Sequence, residues 1–212
     1  MAAADQTVDL PATRVYVARQ PIFARDSTIF GYELLYRSGL ANRFDLTDTD
    51  GELASVSVLS SSAFVFGVEA LAGGSKAFVN FTRAALLNDY ARLFAAERLV
   101  VEVLEGVDAD AEVRAACLRL KRDGYQIALD DWDPDGSTGG LVDLADIVKI
   151  DFLAFDMDRR RELARQLASR GVTLIAEKVE TAADAAQAWE FGYAYAQGYF
   201  YARPEIKVGT RA

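Results

Sequence analysis

The 212-residue sequence contains no histidine and a single cysteine, Cys117. Without histidine, and with one thiol, the chain cannot assemble within itself the usual zinc sites, a Ser-His-Asp triad or a Cys-His nucleophile. A single cysteine also excludes an internal disulfide, which fits a reducing compartment. A metal ion bound by this chain is therefore expected to be a hard cation with oxygen ligands, namely magnesium, manganese or calcium.

Positive charge and long apolar runs are also scarce. The 23 Lys and Arg residues are outnumbered by 32 Asp and Glu residues, which gives a formal net charge of -9. This balance predicts no long nucleic acid partner, although metal ions could bridge a small anionic ligand to carboxylates. No apolar run is long enough to cross a bilayer, and residues 1–11 lack the pattern of a secretory signal. We therefore expect a cytoplasmic protein that does not enter a membrane.

The residues that are present predict one large core, since 51% of them are hydrophobic. Residues 14–22 and 28–36 are rich in β-branched and aromatic side chains and flank a short polar turn, which predicts an antiparallel hairpin. Apolar residues recur three or four positions apart over residues 53–66, which predicts a helix.

From residue 77 onward, predicted strands alternate with predicted helices. The strands are 77–81, 99–104, 126–131, 146–151, 172–178 and 194–197, and the helices are 83–93, 110–123, 158–170 and 181–191. With the hairpin this makes eight strands, which predicts an α/β fold of the (β/α)8 TIM-like barrel type. An open doubly wound sheet is the alternative, but the glycines at 73–74 and 136–140 form neither a dinucleotide fingerprint nor a P-loop. We expect a flexible N-terminal tail over 1–13, the barrel over 14–204 and a C-terminal tail over 205–212.

Polar side chains occupy the carboxyl ends of nearly all predicted strands. In a barrel these ends converge on one mouth, where the active site lies. The residues at these ends are Gln20, Glu33, Arg37, Asn80, Glu102, Asp130, Asp131, Lys149, Glu177 and Gln197.

Such a set suits the hydrolysis of a phosphodiester with two metal ions, because carboxylate and amide oxygens are hard ligands. The predicted metal ligands are Glu33, Asn80, Glu102, Asp130 and Asp131. Lys149 and Glu177 are predicted to orient or polarise the attacking water, and Arg37 to pair with a phosphate oxygen. Taken singly, each residue has a structural alternative: Asn80 could cap a helix, and Asp130 and Asp131 could open a turn. Taken together, several buried charges at one mouth favour a site, because buried charges are costly unless paired or metal-bound.

The order of motifs resembles the EAL domains of cyclic di-GMP signalling over about residues 15–204. The matching segments are R-Q-P-I at 19–22, Y-E-L-L-Y-R at 32–37, F-V-N-F at 78–81, V-E-V-L-E at 101–105, A-L-D-D at 128–131, V-K-I-D at 148–151, A-E-K-V-E-T at 176–181 and A-Q-G-Y-F-Y-A-R-P at 196–204. The spellings Y-E-L-L-Y-R and A-E-K-V-E-T look most like the subgroup in which an EAL domain precedes an HDOD domain.

The resemblance implies a barrel whose first strand is antiparallel to the others. It also implies a phosphodiesterase that uses two Mg²⁺ or Mn²⁺ ions to open cyclic di-GMP to linear pGpG. The same five metal ligands carry over by motif. Lys149, Glu177 and Gln197 match residues that position water, and Gln20, Leu35 and Arg37 are the predicted substrate contacts.

Two features depart from the family pattern and keep an alternative open. Leu34 replaces the middle alanine of the signature tripeptide, and the loop at 132–140 is W-D-P-D-G-S-T-G-G. The alternative is a non-catalytic module that binds cyclic di-GMP or a protein partner, and an unrelated magnesium-dependent barrel enzyme is a weaker one. A homodimer and an HDOD-type domain beyond this sequence are further expectations of the resemblance.

Overall fold

The computed structural model describes residues 13–37 and 67–211, excluding the side chains of residues 13–15, 36, 37, 69, 210 and 211. Most of the predicted N-terminal tail and the helix predicted over 53–66 lie outside the described residues. So does the side chain of Arg37.

Within residues 13–37 and 67–211, nine strands form a single sheet. They are β1 (Thr13–Ala24), β2 (Ile29–Arg37), β3 (Lys76–Phe81), β4 (Leu99–Val103), β5 (Gln126–Leu129), β6 (Ile147–Asp151), β7 (Thr173–Glu177), β8 (Tyr195–Ala196) and β9 (Glu205–Arg211). Strands β2 to β8 pair in order and in parallel, and β1 pairs antiparallel with both β2 and β8. These two pairings close the sheet into an eight-stranded barrel. The prediction of a barrel with an antiparallel first strand is therefore confirmed.

Helices lie between the later strands. They are α1 (Val68–Ala72), α2 (Arg83–Leu87), α3 (Ala111–Arg122), α4 (Met157–Ala168) and α5 (Ala182–Phe191). Tyr90–Leu93 and Gly139–Leu141 form 3-10 helices in connections. Side chains that accept N–H bonds begin the longer helices, as Asp110 does for α3 and Thr181 for α5. Among the described residues, no helix combines the length and the apolar character needed to cross a membrane.

The helix predicted over 83–93 is wrong in its second half. Helix α2 ends at Leu87, and Asp89 adopts a left-handed backbone with φ of 55° before the 3-10 turn begins. Both the backbone N–H and the side-chain amide of Asn88 donate to the Ala84 carbonyl. These bonds satisfy an otherwise free C-terminal carbonyl of the helix.

The inside of the barrel is divided into an apolar layer and a polar layer. The apolar layer consists of Ile22, Phe78, Val100, Ala128, Ile147 and Ile175. Side chains on a strand alternate between its two faces, so the next inward-facing residue on each strand lies two positions nearer the mouth. In each of these six strands that residue is polar. These residues are Gln20, Asn80, Glu102, Asp130, Lys149 and Glu177. Together with Glu33, which pairs with Gln20, and with Gln197 they form the polar layer.

The larger hydrophobic core lies between the barrel wall and the helices. It contains the outward-facing strand residues, such as Leu34, Val79 and Val101, together with apolar residues of the helices. Leu34 is therefore a packing residue on the outer face of β2, with 1% of its surface exposed. The departure at Leu34 lies behind the barrel wall rather than at the mouth.

Residues 205–211, expected to be part of a tail, form β9 instead. This strand pairs antiparallel with the first half of β1, from Thr13 to Arg19. Strand β1 has 12 residues and only its last two pair with β8, so its first half offers a free edge to β9. The Arg19 guanidinium ties the strands together with a 3.0 Å bond to the Glu205 carboxylate.

Candidate functional site

Lys149 on β6 lies at the centre of the polar layer. Its ammonium is 2.7 Å from an oxygen of Asp130, 2.7 Å from Glu177 and 3.8 Å from Glu33, and it also contacts the Glu102 carboxylate. The Lys149 side chain is fully buried, so these carboxylates stand in for its water shell. Strands β2, β4, β5, β6 and β7 each supply one member of this cluster.

The charges in the polar layer do not balance. Four carboxylates face one ammonium, so three negative charges would remain if all four acids were ionised. Burial raises the pKa of Glu33, Glu102 and Glu177 in spite of the opposing attraction of Lys149. Burial alone would lower the pKa of Lys149, but Asp130, Glu102, Glu177 and Glu33 together raise it well above its usual value. The cluster therefore favours the uptake of either protons or additional cations.

Gln20 on β1 and Gln197, which directly follows β8, complete the layer. The Gln197 amide donates to the Glu33 carboxylate and, over 3.2 Å, to the Gln20 side-chain oxygen. Gln20 in turn donates to the Ala202 carbonyl over 3.0 Å. These bonds fix Glu33 and leave the amide oxygen of Gln197 pointing into buried space without a partner among the described residues.

Several other buried oxygens in the layer also lack a hydrogen-bond partner within the described part of the chain. They are Asn80 Oδ1, Glu102 Oε2 and Glu177 Oε2. Buried polar atoms are normally satisfied by protein, water or an ion, so these oxygens are available to accept a hydrogen bond or to bind a cation. Asp130, Asp131 and Glu177 each offer an oxygen, and these three atoms lie within 4.8 Å of one another. Hard oxygen donors at this spacing fit a divalent cation such as Mg²⁺, Mn²⁺ or Ca²⁺.

Asp131 lies at the rim of this layer and has a cation partner that the sequence did not reveal. The Lys178 ammonium lies 2.9 and 3.1 Å from the two oxygens of Asp131 and 2.6 Å from an oxygen of Asp151. Lys178 directly follows the strand-end residue Glu177, and Asp151 is two positions beyond Lys149 on β6. The signal that could have identified Asp151 is its position on the same pleat face as Lys149.

The second departure, the loop at 132–140, is held by contacts with its neighbours. The Trp132 side chain is buried in the outer core, and its backbone N–H donates to the Lys149 carbonyl over 3.0 Å. Ser137 accepts a 3.1 Å bond from the Ala109 N–H. Arg114 of α3 donates to the carbonyl of Gly140, the last residue of the loop, and to the carboxylate of Asp143 beyond it. The loop start is thereby tied directly to the strand that carries Lys149.

The structure brings most of the predicted site residues together. Those that share the polar layer are Gln20, Glu33, Asn80, Glu102, Asp130, Lys149, Glu177 and Gln197. Leu35 is partly buried, and the pleat places it on the face of Glu33, one step nearer the mouth. The roles assigned to these residues, including that of Arg37, stay predictions.

Comparisons with known sequences relate the chain to one family. A family model described as the EAL domain matches residues 68–204. The uncharacterized protein YuxH of Bacillus subtilis (strain 168) is 36% identical over 201 residues, covering 92% of this chain and 49% of YuxH. Cyclic di-GMP phosphodiesterase CdgJ of Vibrio cholerae is 33% identical over 193 residues, covering 90% of this chain and 44% of CdgJ. The chain thus spans about half the length of the curated relatives it matches.

A solved structure shares the fold at lower identity. The Bacillus subtilis YkuI protein, with an EAL domain and in complex with substrate c-di-GMP and calcium, superimposes with a TM-score of 0.70 at 21% identity. The match covers 91% of this chain and 56% of YkuI.

Proposed function

This chain belongs to the EAL domain family, and we propose that it is a metal-dependent phosphodiesterase that opens cyclic di-GMP to linear pGpG. The observation that carries the proposal is the polar layer, in which four carboxylates surround Lys149 and several buried oxygens have no partner among the described residues. A barrel that needed only stability would not require such a charge excess at its mouth.

The proposed metal ligands are Glu33, Asn80, Glu102, Asp130 and Asp131, and the proposed ion is Mg²⁺ or Mn²⁺. Their oxygens suit a hard cation, and Glu177 lies close enough to Asp130 and Asp131 to take part as well. When bound, such ions would neutralise phosphodiester charge and lower the pKa of a bound water.

The remaining groups of the layer position the reactants. Lys149 is held by its carboxylate partners, so its ammonium is fixed before the substrate arrives. Glu177 has one oxygen bonded to Lys149 and one that is free among the described residues, which suits it to accept a proton from water. The unpartnered amide oxygen of Gln197 can accept a hydrogen bond from the same water and so orient it.

The proposed substrate is a cyclic dinucleotide because its two phosphodiesters are anionic and compact. The net charge of -9 disfavours a long polyanion, whereas cations at the mouth could hold a small one. Gln20, Leu35 and Arg37 are the proposed substrate contacts, from two strands that pair directly at Gln20 and Glu33. The similarity to cyclic di-GMP phosphodiesterase CdgJ supports the same choice.

The test is to incubate the purified chain with cyclic di-GMP and Mn²⁺ and to quantify pGpG by liquid chromatography. Replacing Glu102→Gln removes one buried carboxylate from the layer, and we expect the rate to fall by at least about 100-fold. Glu190→Gln is the matched control because it makes the same exchange on an exposed face of α5. Absence of pGpG with the wild-type chain at any Mn²⁺ concentration would refute the proposal.

A second candidate is a module that binds cyclic di-GMP or a protein partner without hydrolysis. The observation that favours it is the engagement of both oxygens of Asp131 by Lys178, since a carboxylate so occupied has less capacity for a metal ion. Binding of cyclic di-GMP measured by calorimetry, with no pGpG formed, would select this candidate. A homodimer and an HDOD-type second domain stay predictions of the sequence resemblance.

A further inference from the structure

Lys178 differs from Lys149 in its surroundings. The Lys149 side chain is fully buried, whereas 45% of the Lys178 side chain is exposed at the rim of the mouth. An exposed lysine has other rotamers available in water, so the ion pairs of Lys178 can open at low cost. Those of Lys149 cannot, because they would leave buried charges behind.

The backbone on both sides of this ion pair is unusual. Asp131 has φ of 41° and Lys178 has φ of 52°, both in the left-handed region that side chains larger than glycine seldom adopt. The two residues directly follow their strand-end acids, Asp130 and Glu177, and their side chains meet at the carboxyl end of β6, which lies between β5 and β7. The lysine thus reaches the carboxylate of a proposed metal ligand from the next strand but one in the sheet.

The ammonium of Lys178 does for Asp131 what a metal ion would do. It contacts both oxygens of Asp131 and one oxygen of Asp151, so a single positive charge compensates two carboxylates. Burial raises the pKa of Asp131, as does the neighbouring charge of Asp130, while Lys178 lowers it. A positive charge is therefore needed at this place, either from the ammonium or from a divalent cation.

We propose that Lys178 is a tethered cation that competes with a divalent ion for Asp131, and that the ion is acquired only when the ammonium swings out to solvent. This inference rests on the proposed metal-binding function and adds a positioning residue to it. Two consequences follow from the charges. Removing the ammonium frees both oxygens of Asp131, and it also removes the repulsion between Lys178 and an incoming cation.

The experiment measures Mn²⁺ binding directly, without nucleotide, by electron paramagnetic resonance of free Mn²⁺ and by calorimetry. Lys178→Met keeps the length of the side chain and removes its charge. We expect it to bind Mn²⁺ at least about threefold more tightly than wild type, or to bind one additional ion. Lys178→Arg keeps the charge and should retain the weaker binding of the wild type.

Lys121→Met is the matched control. Lys121 forms a similar ion pair with Asp146 at 2.6 Å, and its side chain is 31% exposed. That pair joins the last turn of α3 to Asp146, the residue before β6, at the end of the barrel opposite the polar layer. Mn²⁺ binding by Lys121→Met should equal that of wild type, which separates the effect of Asp131 from a general change in net charge.

The outcomes are distinct. Tighter binding or an added ion in Lys178→Met alone supports the proposal. Equal or weaker binding, or no Mn²⁺ bound by either protein, overturns it. If circular dichroism shows that Lys178→Met does not fold, Lys178→Gln removes the same charge and keeps a polar side chain. A chain that binds Mn²⁺ as expected and makes no pGpG contradicts the phosphodiesterase and leaves the role of Lys178 standing.

Discussion

At the scale of single residues, charge compensation decides what the barrel mouth can bind. Lys149 meets four acids, and Lys178 meets two, so the mouth has more carboxylates than ammonium groups in these two clusters. A buried acid without a full counter-charge is stabilised when it binds a proton or a metal ion. Proton uptake and metal uptake are therefore expected to oppose each other at this site.

The metal-free chain should lose stability as the pH rises above about 5, where ordinary carboxyl groups are ionised in the unfolded chain. The folded-state pKa values of Glu102 and Glu177 lie well above the ordinary 4.5, and that of Glu33 is also raised. The folded chain therefore binds more protons than the unfolded chain in this range. The free energy of unfolding falls as the pH rises, until the pH exceeds the folded-state pKa values of these acids. Lys149 does not oppose this trend, because its raised pKa starts from 10.5. The measurement is urea unfolding in chelator at several pH values.

Added Mn²⁺ should flatten this pH dependence, because a cation takes over the compensation that protons provide. Glu102→Gln offers the control, since it removes one titrating acid and should reduce the slope in chelator. Stability in chelator that stays constant or rises as the pH is raised above about 5 would contradict this account.

At the scale of elements, the alternation of side chains along short strands builds the site. Lys149 and Asp151 lie two positions apart on β6, and Glu177 ends the neighbouring strand β7. Strand β8 is shorter still, with two residues, and Gln197 and Gly198 follow it directly. The backbone around Gly198 is tightly engaged, since Val179 donates to the Gln197 carbonyl over 3.0 Å and accepts from the Phe200 N–H over 3.0 Å.

Gly198→Ala should therefore disturb the site from the backbone. A Cβ at Gly198 would lie 2.2 Å from the Val179 carbonyl oxygen and 2.3 Å from its nitrogen, far inside contact distance. We expect a loss of about 2–4 kcal/mol in the free energy of unfolding, together with weaker Mn²⁺ binding as Gln197 shifts. Gly106→Ala is the control, because a Cβ there meets nothing within 4 Å. Chemical denaturation of both variants measures the difference, and equal stabilities would show that the backbone at Gly198 can relax.

At the scale of the whole molecule, the sheet extends beyond the closed barrel. Strand β9 adds to the outer edge of β1, and Arg19 links it to the body of the domain. Besides its bond to Glu205, Arg19 donates to the Leu71 carbonyl over 2.6 Å and stacks 4.5 Å above the Tyr32 ring. The C-terminal segment thus belongs to the folded unit together with the first strand.

Ending the chain after Pro204 should consequently destabilise the fold. The truncation removes the partner of Thr13–Arg19 and leaves an exposed strand edge. We expect the melting temperature to fall by about 3 °C or more, with a greater tendency to aggregate. Differential scanning calorimetry and light scattering compare the two chains. Glu205→Gln in the full chain removes only the ion pair with Arg19, and it should lower the melting temperature far less than the truncation does.

The sequence by itself determined the fold class, the order of the elements and most of the polar layer. Strand-length apolar runs that end in Asn80, Glu102, Asp130 and Lys149 predict parallel strands with polar carboxyl ends. This prediction is possible because strand formation and side-chain alternation depend on the local order of apolar and polar residues. The hairpin at the start was also predictable from local composition and is confirmed by the pairing of β1 with β2.

Only the tertiary structure decided which side chains meet across the mouth. Asp131 and Lys178 are 47 residues apart, and their contact depends on two left-handed turns and on the register of neighbouring strands. The strand β9 and the placement of Leu34 behind the barrel wall likewise depend on closure of the sheet. Long-range pairing, burial and the resulting charge balance are properties of the assembled barrel, and no local segment of sequence contains them.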